Sequence, residues 1–376
     1  MLSYLSSYFY SDNDFFNKFK NVLEFIPNNK DKIIEKNIVI DDNSNLSIFI
    51  KNIDDFCKNK KDKKMIISLS GGVDSMVLIS ILKFLNYNVI ACHINYNNRK
   101  DTIDEEEFLK EWCNQNNIKL YVKSINEVKR DNTKRSDYEL ITKNMRLDFY
   151  KETMEKESAE MVLLGHHKDD IVENIFANVC RGRNILDLAV LRKEAVINNI
   201  KIGRPMLEYN KETIYNFSKK YEIPYFKDTT PDWSVRGKYR NIISKAIEDA
   251  FTENVKQNLI GLSIQSDDWN SLINKDIIQP FMNNISWNID SKSDNKSISF
   301  NIEKYIDYPV TFWSLVFMNL FNNFGLNAPS KKGILTFLTT IKNRIKSPQN
   351  TRFNVTLSSN CKCTIRNYNV IIEFKK

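Results

Sequence analysis

Ser70-Gly71-Gly72-Val73-Asp74-Ser75 stands between a short apolar run, Met65 to Leu69, and a helical pattern, Ser75 to Leu85. No other stretch constrains the chain as much. Adjacent glycines permit backbone conformations closed to other residues and leave N–H groups uncovered. The helix that follows turns its positive end toward the loop. Ser70 and Ser75 add hydroxyls. Together they make a cradle for a phosphate or pyrophosphate. Asp74 is ill suited to direct phosphate contact but suits a bridging Mg²⁺. The loop lacks the lysine of the G-x-x-x-x-G-K-[ST] pattern.

The strand–helix step then repeats. Val89–Ile94, Lys119–Val122 and Met161–Leu164 read as buried strands. Asp104 opens an acidic helical turn, with Phe108, Leu109 and Trp112 as the buried stripe. Tyr138–Lys156 and Asp169–Cys180 read as helices. Such alternation predicts an α/β domain, a parallel sheet covered on both faces, over residues 61–245. Ligands in such sheets bind beyond the carboxyl ends of the strands. Residues 1–60 are polar, with a helical patch at Phe15–Phe25 and no motif. They read as an extension of unassigned role. Residues 246–376 predict helices around 254–274 and 310–345, then a small β-rich end. There Phe353, Val355 and Leu357 alternate, as do Cys363 with Ile365 and Val370 with Ile372 and Phe374.

The histidines are His93, His166 and His167. His166-His167-Lys168-Asp169-Asp170-Ile171-Val172-Glu173 lies where a strand gives way to a helix. Asp170 and Glu173 share one helical face. Beside a phosphate loop this cluster suits Mg²⁺, a base or an amine substrate. Acids there also serve as plain helix-start charges.

Composition limits the partners. Of 376 residues, 55 are Lys or Arg and 47 Asp or Glu, a net charge of +8 that permits RNA without requiring it. No run approaches the roughly 18 apolar residues of a membrane span, and Val310–Leu326 reads as a buried helix. The first ten residues carry neither Lys nor Arg and read as neither secretory signal nor transit peptide. Cys57, Cys92, Cys113, Cys180, Cys361 and Cys363 form no C-x-x-C and no zinc spacing. They predict reduced, partly buried thiols in a cytoplasmic protein with no membrane partner.

The loop resembles the PP-loop of the N-type ATP pyrophosphatases, a Rossmann-like family that cleaves ATP to AMP and pyrophosphate and adenylates a carbonyl oxygen. Gly165-His166-His167-x-Asp169-Asp170-x-x-Glu173, then Arg181-Gly182, narrows the likeness to tRNA(Ile)-lysidine synthase. Cys92-His93-Ile94-Asn95 through Arg99 resembles that family's second-strand motif. Glu139, Arg146, Phe149 and Tyr150 resemble its next helix, and Arg204-Pro205-Met206-Leu207 its R-P-L-L segment. Asp228-Thr229-Thr230 and Arg240-Asn241 resemble its closing elements. The likeness covers about residues 65–245. Departures are Tyr96-Asn97-Asn98 for His-Gly-Leu, Thr142-Lys143 for Ala-Arg, Asn174 for Thr, and Pro231 for Asn.

The resemblance implies a ligase that joins free lysine to the wobble cytosine of an isoleucine tRNA with a CAU anticodon. ATP is the co-substrate, with Mg²⁺. Ser70, Gly71, Gly72, Val73, Asp74, Ser75 and His93 are the implied ATP-binding residues. Asp74 and Asp170 are the implied Mg²⁺ ligands. Asp169, Asp170 and Glu173 would receive the lysine cation, and His166 or His167 a proton. Arg99, Arg146, Arg181, Arg204 and Arg240 are the implied substrate or tRNA contacts. Lys331, Lys332, Lys342, Arg344 and Lys346 suit either tRNA phosphates or a solvated helix face. A PP-loop tRNA 2-thiolation enzyme and a non-catalytic RNA-binding scaffold are the alternatives.

Overall fold

The computed structural model describes residues 12–27, 44–97, 99–128, 133–189, 191–228, 230, 234–252, 254–289, 296–345, 352–359 and 361–374. Asn98, Thr229, Pro231 and Lys346 lie outside them, as do residues 1–11. The chain forms two compact units. One is Met1–Arg181 with Ala189–Gly261, the other Gly182–Leu188 with Leu262–Lys376. The sequence places divisions at 60/61 and 245/246. The two compact units part near Gly261, and described residues before 61 pack into the first core.

The first unit begins with α1 (Asp12–Lys18), β1 (Leu23–Phe25) and α2 (Asn45–Cys57). Then come β2 (Met65–Ser68), α3 (Val73–Phe84), β3 (Val89–Asn95), α4 (Thr102–Gln115), β4 (Lys119–Ser124) and α5 (Arg135–Glu157). β5 (Met161–Leu163), α6 (Lys168–Cys180), β6 (Glu194–Ile197), β7 (Ile200–Gly203) and α7 (Lys211–Lys220) follow. β8 (Tyr225–Phe226), α8 (Val235–Lys238) and α9 (Ser244–Phe251) complete it. The sheet runs β4-β3-β2-β5-β7-β6. All neighbours are parallel except β6, which is antiparallel to β7.

Met65–Ile67 of β2 and Met161–Leu163 of β5 are unbroken apolar runs and are buried on both sides. Successive side chains of a strand face opposite ways. So Met65 and Ile67 join the core with Phe49, Met76 and Phe108, while Ile66 joins Leu147, Phe149 and Tyr150. The α/β expectation holds. Two details differ. The Phe15–Phe25 patch is helical only to Lys18, and Leu23–Phe25 pairs with β8. Phe15 and Phe19 pack on Phe108, so tertiary contacts override local pattern here. The β6–β7 hairpin was not read from the sequence. Asn198 and Asn199 turn it with φ of 49° and 64°, the left-handed pair that a two-residue hairpin loop needs.

After α10 (Val255–Ile273), the second unit comprises α11 (Gln279–Asn283), β9 (Ser286–Ile289), β10 (Lys296–Asn301), α12 (Val310–Asn322) and α13 (Lys331–Ile345). It ends with β11 (Phe353–Val355), β12 (Cys361–Arg366) and β13 (Asn369–Phe374). The antiparallel sheet runs β11-β12-β13-β10-β9. The terminal β-rich region is as expected, but β9 and β10 extend it. Trp313, Phe317 and Phe321 of α12 are buried against it with Ile365 and Ile372. Five cysteines are buried and Cys180 is exposed, and none of the six is in a disulfide. Among the described residues, no helix is long and apolar enough to cross a membrane.

Candidate active site

The glycine loop leaves the carboxyl end of β2 and enters α3. Gly71 has φ +82°, and a Cβ there would lie 2.0 Å from Phe226 Cε2. Only glycine satisfies both conditions. Phe226 N–H donates to Gly71 O at 2.9 Å, which holds β8 against the loop. The serine hydroxyls shape the loop itself. Ser75 Oγ donates to Gly72 O at 3.0 Å and accepts from Ser70 N–H at 3.2 Å. Gly72 N–H donates to Ser70 Oγ at 3.3 Å. Val73 buries its side chain, which leaves its N–H as the group it could offer an anion. The first-turn N–H groups of α3 are those that a helix leaves unpaired. They make this end of the sheet attractive to phosphate.

The histidine–aspartate segment packs directly on that loop. A Cβ at Gly165 would approach Ser75 N to 3.1 Å. His167 precedes α6, and its N–H donates to Asp170 Oδ2 at 3.0 Å. Its buried ring lies among three carboxylates. Nε2 is 3.6 Å from Asp74 Oδ1 and 3.5 Å from Asp170 Oδ2, and Nδ1 is 3.3 Å from Asp169 Oδ2. Among the described residues, neither ring nitrogen has a hydrogen-bond partner. His166 differs. Its Nδ1 accepts from Arg204 Nε at 3.1 Å, which leaves Nε2 carrying the proton of the neutral ring. Burial pushes its pKa down to about 4, outweighing the pull of Asp170.

Each acid has a cationic or N–H partner. Lys211 Nζ meets both Asp74 oxygens, at 2.6 and 2.7 Å. Lys211 N–H donates to Asp169 Oδ2 at 2.9 Å. Burial works to raise Asp169, but the His167 ring and this N–H hold it down, at about 2. Asp170 and Glu173 are buried and face two arginines. Arg236 reaches Asp170 at 3.2 Å and Glu173 at 2.8 Å. Arg240 reaches Asp170 at 3.4 Å and also donates to Glu173. Burial raises Asp170, yet His167 and Arg236 bring it below the ordinary aspartate value. Arg240 sits in a π-helical stretch, Tyr239–Ile243. Such stretches recur at functional sites.

Comparison with known proteins follows the same residues. The pattern of the PP-loop domain matches residues 45–250. The chain belongs to the PP-loop family. A tRNA(Ile)-lysidine synthase of Bacteroides thetaiotaomicron is 28% identical over 217 residues, 57% of this chain and 50% of that one. Another, of Francisella philomiragia, is 32% identical over 190 residues, 50% of this chain and 46% of that one. The chain thus spans about half the length of the curated relatives it matches. Among solved structures, the U34-tRNA thiolase NcsA of Methanococcus maripaludis, with its [4Fe-4S] cluster, aligns over 60% of this chain and 80% of its own. The TM-score is 0.46 and the identity 16%, a likeness that bears on neither chemistry nor substrate.

A cavity of about 190 Å³ lies against the histidine–aspartate segment. His167, Asp169, Glu173, Lys211, Arg240 and Lys256 line it, with Val172, Tyr239 and Ser244. Acids and cations thus share one hollow. Lys211, Arg236, Tyr239, Ser244 and Lys256 were missed in the sequence. Only Arg236 left a signal there, four residues before Arg240 on the same helical face.

Other expected contacts lie elsewhere. His93 is buried at the end of β3, with Nδ1 2.9 Å from Leu69 O. Arg204 is buried and positions His166; its second bond, at 2.7 Å, is to Arg192 O. Arg99 pairs with Glu105 at 2.5 and 2.6 Å. Arg146 and Arg181 are exposed. None of these four arginines lines the cavity.

Among the described residues, no three or more His, Cys, Asp or Glu side chains are grouped to hold a metal. Mg²⁺ does not need such a cage, because it is bound through one or two carboxylates plus substrate phosphates. Asp74 and Asp170, both close to His167 Nε2, are donors of that kind. Their hard oxygens fit Mg²⁺ provided that phosphates complete the set.

Proposed function

We propose that this PP-loop protein is a cytoplasmic tRNA(Ile)-lysidine synthase. ATP would adenylate the carbon-2 oxygen of the wobble cytosine in tRNA(Ile) with a CAU anticodon, releasing pyrophosphate. The ε-amine of free lysine would then displace AMP, forming a C–N bond and lysidine. One observation carries the reading: a cavity lined by His167, Asp169, Glu173, Lys211, Arg240 and Lys256 offers both charges, and Lys211 joins it to Asp74 of the glycine loop. A free amino acid is a zwitterion and needs both.

The loop N–H groups would hold the pyrophosphate part of ATP. Asp74 and Asp170 would hold Mg²⁺, which spreads the charge of a departing phosphate. Asp169 and Glu173 would receive the lysine ammonium, and Arg240 and Lys256 its carboxylate. The attacking amine must be neutral. His167 suits the removal of its proton better than His166, whose Nδ1 is already engaged by Arg204. The cytosine must leave the anticodon stack to react. Residues 246–376 would grip the anticodon arm through cations such as exposed Lys331 and Lys332. Lys342 already pairs with Asp307 at 3.0 Å, and Arg344 lies 5.7 Å from the Phe353 ring.

The test is transfer of radiolabelled lysine to unmodified tRNA(Ile) bearing CAU, with ATP and Mg²⁺ and a methionine tRNA as control. ATP-dependent label in tRNA(Ile) alone is the expected result. Pyrophosphate release without label keeps adenylation and rejects lysine as nucleophile; mass spectrometry then looks for sulfur. Neither signal from folded protein sinks the reading in favour of a non-catalytic scaffold.

A further inference from the structure

Asp74 is the one acid inside the glycine loop, and a lysine from a distant part of the chain sits on it. Lys211 Nζ is 2.6 and 2.7 Å from the two carboxylate oxygens. The residue is anchored at its backbone, where its N–H donates to Asp169 Oδ2 at 2.9 Å. Its side chain therefore crosses from the histidine–aspartate segment to the loop. Both partners keep about a quarter of their side-chain surface exposed, 26% for Lys211 and 27% for Asp74. Lys211 also lines the cavity described above. The ammonium is held but not sealed in.

A pair this accessible adds little to stability. Its value lies in what happens when an anion arrives. A polyphosphate at the loop would meet the Asp74 carboxylate as a like charge. At contact distance that repulsion is substantial at the effective dielectric of a protein surface. Something positive must stand between them. A lysine ammonium is a compact point charge on a flexible stem, well suited to phosphate oxygens. The same stem lets it turn between acceptors a few ångströms apart without moving its anchored backbone.

We propose that Lys211 is a nucleotide-binding residue that doubles as a placeholder on Asp74. Without nucleotide its ammonium neutralises Asp74. When ATP enters, the ammonium turns to the phosphate oxygens and frees Asp74 for a divalent cation. No covalent bond changes, and the lysine stays protonated throughout. The inference rests on the reading of the loop as an ATP site.

The test uses the full chain and three variants, Lys211→Met, Lys211→Gln and Lys211→Arg, each checked for folding by circular dichroism. ATP affinity is measured by calorimetry in EDTA, so that no divalent cation contributes. Lys211→Met should bind ATP about tenfold more weakly, or worse, and Lys211→Arg within about threefold of wild type. Lys211→Gln repeats the neutral comparison should the methionine variant not fold. The second readout is Mn²⁺ binding to the nucleotide-free protein, followed by electron paramagnetic resonance. With Asp74 uncovered, the neutral variants should bind Mn²⁺ more tightly than wild type. Folded neutral variants with wild-type affinity for ATP and for Mn²⁺ would overturn the proposal and leave Lys211 a structural partner. That failure is distinct from failure of the loop reading, in which wild type itself binds no ATP and both ideas fall together.

Discussion

A Cβ added to Gly165 would stand 3.0 Å from the Cβ of Asp74. The chain leaving β5 is pressed onto the first turn of α3, and this contact brings His167 within reach of Asp74. Overpacking of such a contact costs about 1–3 kcal/mol. Gly165→Ala should therefore lower stability by that order and weaken ATP binding about tenfold. Urea unfolding and calorimetry with ATP check the two effects. Unchanged ATP affinity would show that the loop tolerates the shift.

Phe226 bears on Gly71 and also meets Phe108 edge-on, with ring centroids 5.4 Å apart. Phe108 in turn stacks on Phe15 at 5.4 Å. Residues from the motif-free N-terminal segment thus brace the floor of the loop. Phe226→Ala should cost about 3–5 kcal/mol, as truncations of buried aromatics do. It should also raise hydrogen exchange at Gly71 and Gly72 above that of the β3 amides. Uniform change across the sheet would mean that Phe226 serves the core and not the loop.

Glu173 is buried and carries two guanidinium partners, Arg236 and Arg240. Removing one partner of such a pair leaves a poorly compensated charge. Arg240→Met should cost about 2 kcal/mol, at the low end because Arg236 remains. Glu173→Gln in the same chain should recover part of that loss. Under the proposed function, lysine transfer should fall at least about a hundredfold in either single variant. A double-mutant cycle on urea midpoints measures the coupling, and additive effects would contradict it.

His166 has a pH signature. Its folded pKa lies at about 4 against an ordinary 6.5, chiefly because burial disfavours the charged ring. The unfolded chain takes up the proton first as pH falls. His166 therefore contributes its full stability above about pH 6.5 and loses it progressively toward about pH 4. His166→Gln should flatten urea stability across that window and leave values above about pH 7 nearly parallel to wild type. Persistence of the full slope in the variant would assign it to other groups.

The strand–helix alternation, the loop, the acidic cluster and the β-rich end were legible from residue order, because each is set by local periodicity or local backbone chemistry. Met65–Leu69 is apolar at every position but Ser68, a run that suits a strand covered on both faces. The whole Ser70–Ser75 string between a strand and a helix, and not the glycine pair by itself, is what predicts a backbone-lined anion site. The partners of the acids were not legible. Lys211 lies 137 residues from Asp74, and no spacing rule links them. The conversion of Leu23–Phe25 from helical pattern to strand depends on pairing with Tyr225–Phe226. The different environments of His166 and His167, neighbours in sequence, come from Arg204 on one side and three carboxylates on the other. Charge pairing and burial are long-range properties of the folded chain. The sequence alone determined which chemical groups the protein owns and which elements carry them. The tertiary structure decided which groups neutralise one another and which remain open to a ligand.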